Sequence, residues 1–173
     1  MTICTPKLAD ADELAAMAAR AWAETFAHMY SAADLAEHLR VWMPPARCAA
    51  EIADPMTWPI RLWRDAAGVS GYIKLGPIDF PLPDDYGDAA DSIELHHFYL
   101  LSRAKGTGAA DALMAWALAE ARQRGKARIL LSVFVENRRA QRFYARHGFA
   151  EIGKNPYRVG DQIDDDRIWM ARL

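Results

Sequence analysis

The sequence predicts a single α/β domain spanning residues 1–173, and three observations predict it. Ile129 to Val135 is a continuous apolar run of strand length, the pattern of a parallel strand buried on both faces. It follows a strand, a glycine turn and an amphipathic helix, which together make a βαβ unit with a right-handed crossover. Two helical stretches open the chain, and strand pairs joined by polar turns stand before and after the βαβ unit.

The elements follow in order. Thr2 to Thr5 form a short strand that Pro6 ends. From Ala11 to Ala27, the residues Leu14, Met17, Ala18, Ala21, Trp22 and Phe26 recur at helical spacing. Ser31 is placed to cap a second helix that carries Leu35, Leu39, Trp42 and Met43 on one face and stops at Pro44-Pro45. Residues 46–53 are one more helical stretch. Ile60 to Trp63 and Val69 to Leu75 are strands joined by a turn, and Gly76 to Asp91 is a loop rich in Pro, Asp and Gly. Ile93 to Leu101 is the strand that enters the βαβ unit. After the turn at 105–110, Leu113, Met114, Ala117, Leu118 and Ala121 mark a helix closed near Gly125. Asn137 caps a further helix that Gly148 ends, and Phe149 to Tyr157 with Arg167 to Leu173 form a closing hairpin around residues 160–166.

Composition narrows the function. The chain is 52% hydrophobic and 25% charged, ordinary globular usage that sets disorder aside. A net charge of −2 argues against a general nucleic-acid coat protein, which would be basic. Arg or Lys crowd the stretch from Ala121 to His147, the one weak nucleic-acid signal; a solvated face accounts for it equally. Cys4 and Cys48 make neither a disulfide framework nor a zinc site by themselves. No secretory segment follows Met1, and no run approaches the roughly 20 apolar residues of a membrane span. The expectation is a soluble cytoplasmic protein with no membrane or nucleic-acid partner and no metal.

Chemistry first shows in the turn Lys105-Gly106-Thr107-Gly108-Ala109-Ala110. Small residues let backbone approach a ligand, and free N–H groups at a helix start attract anions. The turn suits a pyrophosphate; it also reads as a plain strand-to-helix turn. It is neither a Walker A motif nor a complete dinucleotide fingerprint. A second segment carries Asn137, Ala140, Phe143, Tyr144, Gly148 and Phe149. In order and spacing, the two segments resemble the pyrophosphate motif and the later N-x-x-A-x-x-F-Y-x-x-x-G-F motif of the GNAT superfamily of N-acetyltransferases. The register that starts at Lys105 is preferred over the one at Arg103, because it keeps the preceding strand at the usual distance.

The resemblance implies a mixed, mostly antiparallel sheet flanked by helices, with one parallel strand pair splayed to admit acetyl-CoA as cosubstrate. It implies that the backbone of Phe98, Tyr99 and Leu100 pairs with the pantetheine arm and that residues 105–110 (Lys105, Gly106, Thr107, Gly108, Ala109, Ala110) hold the pyrophosphate. Asn137 would bond the pantetheine, and Arg146, or Arg138 and Arg139, would meet the 3′-phosphate. Tyr144 is the candidate acid for the coenzyme thiolate, with helix packing as its other reading; Asn137 is also a plain N-cap. Glu94 and His96 are candidate bases on the face expected to meet the thioester, with His97 pointing to the other face by strand alternation.

For the acceptor, Asp79, Asp84, Asp85, Asp88 and Asp91 in one loop and Asp161, Asp164, Asp165 and Asp166 in the last hairpin could draw a cation. The segments Phe26 to Leu35, Gly71 to Leu75, Tyr157 to Asp161 and Ile168-Trp169-Met170 are similar to bacterial spermidine/spermine acetyltransferases of the PaiA type. This implies a small primary amine such as a polyamine, and is compatible with a homodimer. A protein lysine or N-terminal acetyltransferase and a non-catalytic acetyl-CoA-binding regulator are the alternatives.

Overall fold

Strand-length apolar runs separated by three helices at the start and two later build a central sheet with helices on both faces. The computed structural model describes residues 1–173. In chain order the elements are β1 (Thr2–Cys4), α1 (Ala11–Phe26), α2 (Ala32–Trp42), α3 (Pro45–Ala53), β2 (Ile60–Asp65), β3 (Gly68–Gly76), β4 (Ser92–Leu100), α4 (Ala109–Gln123), β5 (Arg128–Phe134), α5 (Arg138–Arg146), β6 (Ala150–Lys154), β7 (Tyr157–Val159), β8 (Gln162–Asp164) and β9 (Asp166–Arg172). Seven strands form one sheet in the order β1-β2-β3-β4-β5-β9-β6, while β7 and β8 pair separately. Every neighbouring pair in the large sheet is antiparallel except β4–β5.

The two sheet faces bury different sets of residues. On one, Ile73, Leu75, Ile129, Leu131 and Val133 pack with Leu113, Met114 and Ala117 of α4. On the other, Leu62 and Tyr72 pack with Leu14, Met17 and Ala18 of α1 and Cys48 of α3. Removing these apolar side chains from water is the main driving force that docks the helices, at about 25 cal/mol per Å². The same second face, further along the sheet, presents Leu130 and Ile168. There the segment 77–91 lies as a strap, held by Phe80 with Ile78, Leu82 and Tyr86 against them.

Several sequence expectations are corrected here. Pro45 does not only stop α2; it occupies the first turn of α3, where a missing N–H leaves no bond unmade. The closing hairpin is β6–β9, and β9 inserts between β5 and β6, so the last strand is central and β6 is the edge. Residues between them do not form a simple turn, because β7 and β8 make a hairpin of their own. Ser31 does cap α2, accepting from the N–H of Asp34 at 3.1 Å.

Candidate active site

The parallel pair is short. β4 and β5 pair only at Ser92–Arg128, Ile93–Ile129 and Glu94–Leu130. Beyond this, β4 stays with β3 as far as Leu100, while β5 stays with β9 over its whole length. The strands therefore part, and the edge of β4 that carries Phe98, Tyr99 and Leu100 has no strand partner on its β5 side. An open edge of this kind can pair with an extended ligand.

The turn before α4 lies past the open end of β4. Gly106 and Gly108 adopt φ of 81° and 86°, and an added Cβ at either would meet nothing within 4 Å. Glycine is there for the backbone conformation. None of the N–H groups of Gly106, Thr107, Gly108, Ala109, Ala110 or Asp111 donates to a protein acceptor. Such a row of free donors at a helix start is a ready anion site. Arg103 turns away, donating to Asp65 at 2.8 Å and to the Val69 carbonyl at 3.0 Å, whereas Lys105 makes no ion pair.

Asn137 caps α5 by accepting from the N–H of Ala140 at 3.2 Å, which leaves its amide NH₂ without a protein partner. Tyr144 is buried among Phe98, Phe143 and Phe149, with ring centroids 5.7–6.5 Å away, and its hydroxyl makes no hydrogen bond in the protein. Burial raises its phenol above the ordinary range. His147 reaches Asp111 at 3.2 Å, so the end of α5 meets the start of α4; the neighbouring Arg146 is exposed, with its guanidinium over the Phe143 ring.

Glu94 and His96 come together. The His96 Nδ1 is 3.4 Å from Glu94 Oε1 and 3.6 Å from Asp79 Oδ2, and its Nε2 donates to the Pro77 carbonyl at 2.6 Å. Glu94 Oε2 accepts from the Asp79 N–H at 2.9 Å. Burial pushes the Glu94 carboxyl up to about 8. Burial likewise holds His96 below its ordinary range. One oxygen of Asp79, one oxygen of Glu94 and a ring nitrogen of His96 all lie within 4.8 Å of one another. A carboxyl and an imidazole thus face each other, placed so that a proton could pass between them, with Asp79 at the exposed side.

His97 departs from the alternation argument. Between β3 and β4, Lys74 faces His97 but Leu75 faces Leu95, so His96 is an extra residue bulged out of register. The bulge resets the alternation, and His97 lies on the same face as Glu94. There it accepts from or donates to the Tyr72 hydroxyl at 3.0 Å and packs on Trp42 at 4.6 Å.

Beside these residues is an aromatic wall that pattern reading did not assemble. Trp22 stacks on Tyr30 (5.3 Å) and touches His38 (4.5 Å); His38 stacks on Trp42 and meets the edge of Tyr157. Trp42 in turn meets Tyr99 edge-on at 5.5 Å. Two of the hairpin aspartates enter this wall. Asp164, buried, accepts from the Tyr30 hydroxyl and from Gln162. Asp166 accepts from Ser132 at 3.3 Å, and burial pushes it up to about 6. Burial and the neighbouring carboxylates of Asp166, Asp79 and Asp164 push Tyr157 up to about 12. Asp161 and Asp165 stay outside, and of the strap aspartates only Asp79 reaches the site. Asp91 instead pairs with Arg128. The basic stretch 121–147 does not form one face either, since Arg124 is spent on Glu120 and the carbonyls of Pro55 and Met56.

Comparison with known proteins decides the family. Residues 16–149 match the acetyltransferase (GNAT) family. An uncharacterized N-acetyltransferase of Mycobacterium tuberculosis is 37% identical over 169 residues, which cover 96% of this chain and 99% of the relative. This chain belongs to the GNAT family. A second relative, an uncharacterized N-acetyltransferase of Lactobacillus delbrueckii, is 26% identical over 95% of this chain and 92% of its own. Among solved structures, the PaiA N-acetyltransferase of Thermoplasma acidophilum in complex with coenzyme A superposes with a TM-score of 0.81 at 19% identity, covering 99% of this chain and 98% of that one. The ribosomal-protein-alanine N-acetyltransferase of Brucella melitensis gives 0.77 at 20% identity, with both chains fully covered. At such identities these two show the fold.

As a GNAT protein the chain is an N-acetyltransferase with acetyl-CoA as its cosubstrate. No helix is long and apolar enough to cross a membrane.

Proposed function

We propose that this GNAT enzyme transfers the acetyl group of acetyl-CoA directly to a primary amine of a small cationic acceptor, with polyamines as the leading class. The observation that carries the reading is the juxtaposition of Asp164 and Asp166 with the rings of Tyr30, Tyr157 and His38, next to the Glu94–His96 pair. Aromatic faces and carboxylates together favour an ammonium group.

In the proposed reaction, the free N–H groups of residues 106–111 take the pyrophosphate, with Lys105 and Arg146 adding charge. The pantetheine arm lies along Phe98, Tyr99 and Leu100, and Asn137 offers its free amide NH₂. A backbone N–H of β4 polarises the thioester carbonyl. The acceptor ammonium gives one proton to Glu94, which His96 supports, and the neutral amine attacks the carbonyl carbon. As the tetrahedral intermediate collapses, the C–S bond breaks and Tyr144 donates its proton to the thiolate. The second amine proton leaves as the amide forms, and Tyr144 regains one, so each turnover yields amide, free thiol and one proton. Cys48 is no nucleophile, since burial pushes its thiol up to about 11. The reading places the enzyme in the cytoplasm, where Cys4 and Cys48 remain reduced.

The test is a thiol-release assay with acetyl-CoA over spermidine, spermine, diamines, neutral-tailed monoamines, lysine peptides and N-terminal alanine peptides. Preference for acceptors with a second ammonium supports the reading. Turnover of peptides alone replaces it by protein acetylation, and acetyl-CoA binding without any turnover makes the chain a regulator.

A further inference from the structure

Lys74, on β3, is fully buried. Its Nζ lies 2.8 Å from Glu51 Oε1 of α3, an oxygen that also accepts from Arg47 at 3.0 Å. Glu51 is itself buried, and its Oε2 has no partner. Burying two opposite charges desolvates both, and apolar side chains of equal volume commonly serve stability as well or better. The pair therefore calls for a reason other than stability.

Its surroundings supply one. The β3–β4 register sets Lys74 opposite His97 and on the same face as Glu94. The ammonium also sits over the Trp58 ring, 4.9 Å from its centroid, and Trp58 meets His96 edge-on at 5.1 Å. Gly76 makes room for that contact, because a Cβ there would come within 2.3 Å of Trp58 and 3.0 Å of His96 Nε2. The His96 ring is thus gripped between Trp58 and the Pro77 carbonyl, with Nδ1 turned to Glu94.

We propose that Lys74, fixed by Glu51, is a positioning residue for the Glu94–His96 pair: through Trp58 it holds the His96 ring, and its charge sets where the shared proton resides. The charged and titratable groups facing the pair are Asp79 from the strap, His97 from β4, Lys74 from β3, and Glu51 with Arg47 behind Lys74 from α3. Burial is the main reason that both imidazoles stay neutral and that the carboxyl is raised; Lys74 opposes protonation of Glu94, His96 and His97 alike, and so adds to the first effect and works against the second.

The inference rests on the proposed base role, and the test separates the two. In Lys74→Met the acid limb of the kcat/KM profile is expected to move up by roughly one pH unit, and the His96 and Glu94 resonances followed by NMR titrate higher by a similar amount. Lys74→Arg, which keeps the charge, restores both toward wild type. Should Lys74→Met not fold, the double variant Glu51→Gln/Lys74→Met leaves no buried unpaired charge and must show a smaller shift of the same sign. Folded protein whose limb and NMR titrations stay in place overturns the inference. If Glu94→Gln leaves the pH profile unchanged, the base assignment fails instead, while the NMR shift still reports on Lys74.

Discussion

Glu94 and His96 face each other across 3.4 Å, and the hydrogen bond from His96 Nε2 to the Pro77 carbonyl settles which nitrogen carries the fixed proton. A carbonyl only accepts, so Nε2 is protonated and Nδ1 is free to accept from the Glu94 carboxyl. With the Glu94 carboxyl raised and the His96 ring lowered by burial, the pair carries one carboxyl proton and no net charge near neutral pH.

In the proposed reaction that proton sets the pH dependence: Glu94 takes a proton from the acceptor only when ionised, and burial has pushed its carboxyl up to about 8. The kcat/KM for a fixed acceptor should rise between about pH 7 and 9 and level off above. Glu94→Gln should remove this limb and lower kcat about 10²- to 10⁴-fold, measured by thiol release.

The same carboxyl affects folding with the opposite sign to activity. In the unfolded chain Glu94 ionises near pH 4.3, far below its folded value of about 8. Between those values the folded state binds more protons, so raising the pH weakens the fold, and above about 8 the full penalty is present. Glu94→Gln carries no such penalty. Its melting temperature relative to wild type should increase from pH 5 to pH 9 in matched thermal scans.

Tyr144→Phe should separate chemistry from binding. The ring keeps its contacts with Phe98, Phe143 and Phe149, so the fold and acetyl-CoA affinity measured by calorimetry should hold. Loss of the proton donor should lower kcat about 10²-fold or more. An unchanged kcat would leave Tyr144 a packing residue.

Arg103 and Lys105 should behave differently although both flank the glycine turn. Lys105→Ala should weaken coenzyme A binding several-fold, and more so at low salt, because a phosphate loses a nearby charge. Arg103→Ala should leave affinity unchanged and instead loosen the turn between β2 and β3, where it holds Asp65 and Val69. Equal effects on affinity would return the anion site to the Arg103 register.

Asp166→Asn should raise KM for a diamine about tenfold and leave KM for a neutral-tailed monoamine in place, since in the proposed reading only a second ammonium uses that carboxylate. Burial holds Asp166 up to about 6, so the diamine KM of the wild type should also rise as the pH falls through that value.

Much of the coenzyme side of the site was readable along the chain. The glycine turn, the helix it starts, the buried strand after it and the Asn137 cap each need only a few neighbouring residues, because backbone conformation and capping are local. The acceptor side was readable only in parts. Asp164 and Asp166 belonged to a run of four acids, and which of them turned inward depended on the separate β7–β8 hairpin. Arg128 likewise belonged to a basic stretch, yet it closes on Asp91 of the strap.

The sequence by itself determined the α/β class, the βαβ unit, the glycine turn that opens α4 and the identity of the residues offered for acid and base chemistry. Tertiary structure alone decided that His97 shares a face with Glu94, that Asp79 joins Glu94 and His96, that aromatic rings from α1, α2, β4 and β7 meet one another, and that a buried lysine shares the face of Glu94. A bulge such as that at His96 is a mismatch between two strands, β3 and β4, and neither strand encodes it alone. The other contacts join segments far apart in the chain, brought together because burying the apolar faces of α1, α3 and the strap on the sheet outweighs the loss of chain entropy.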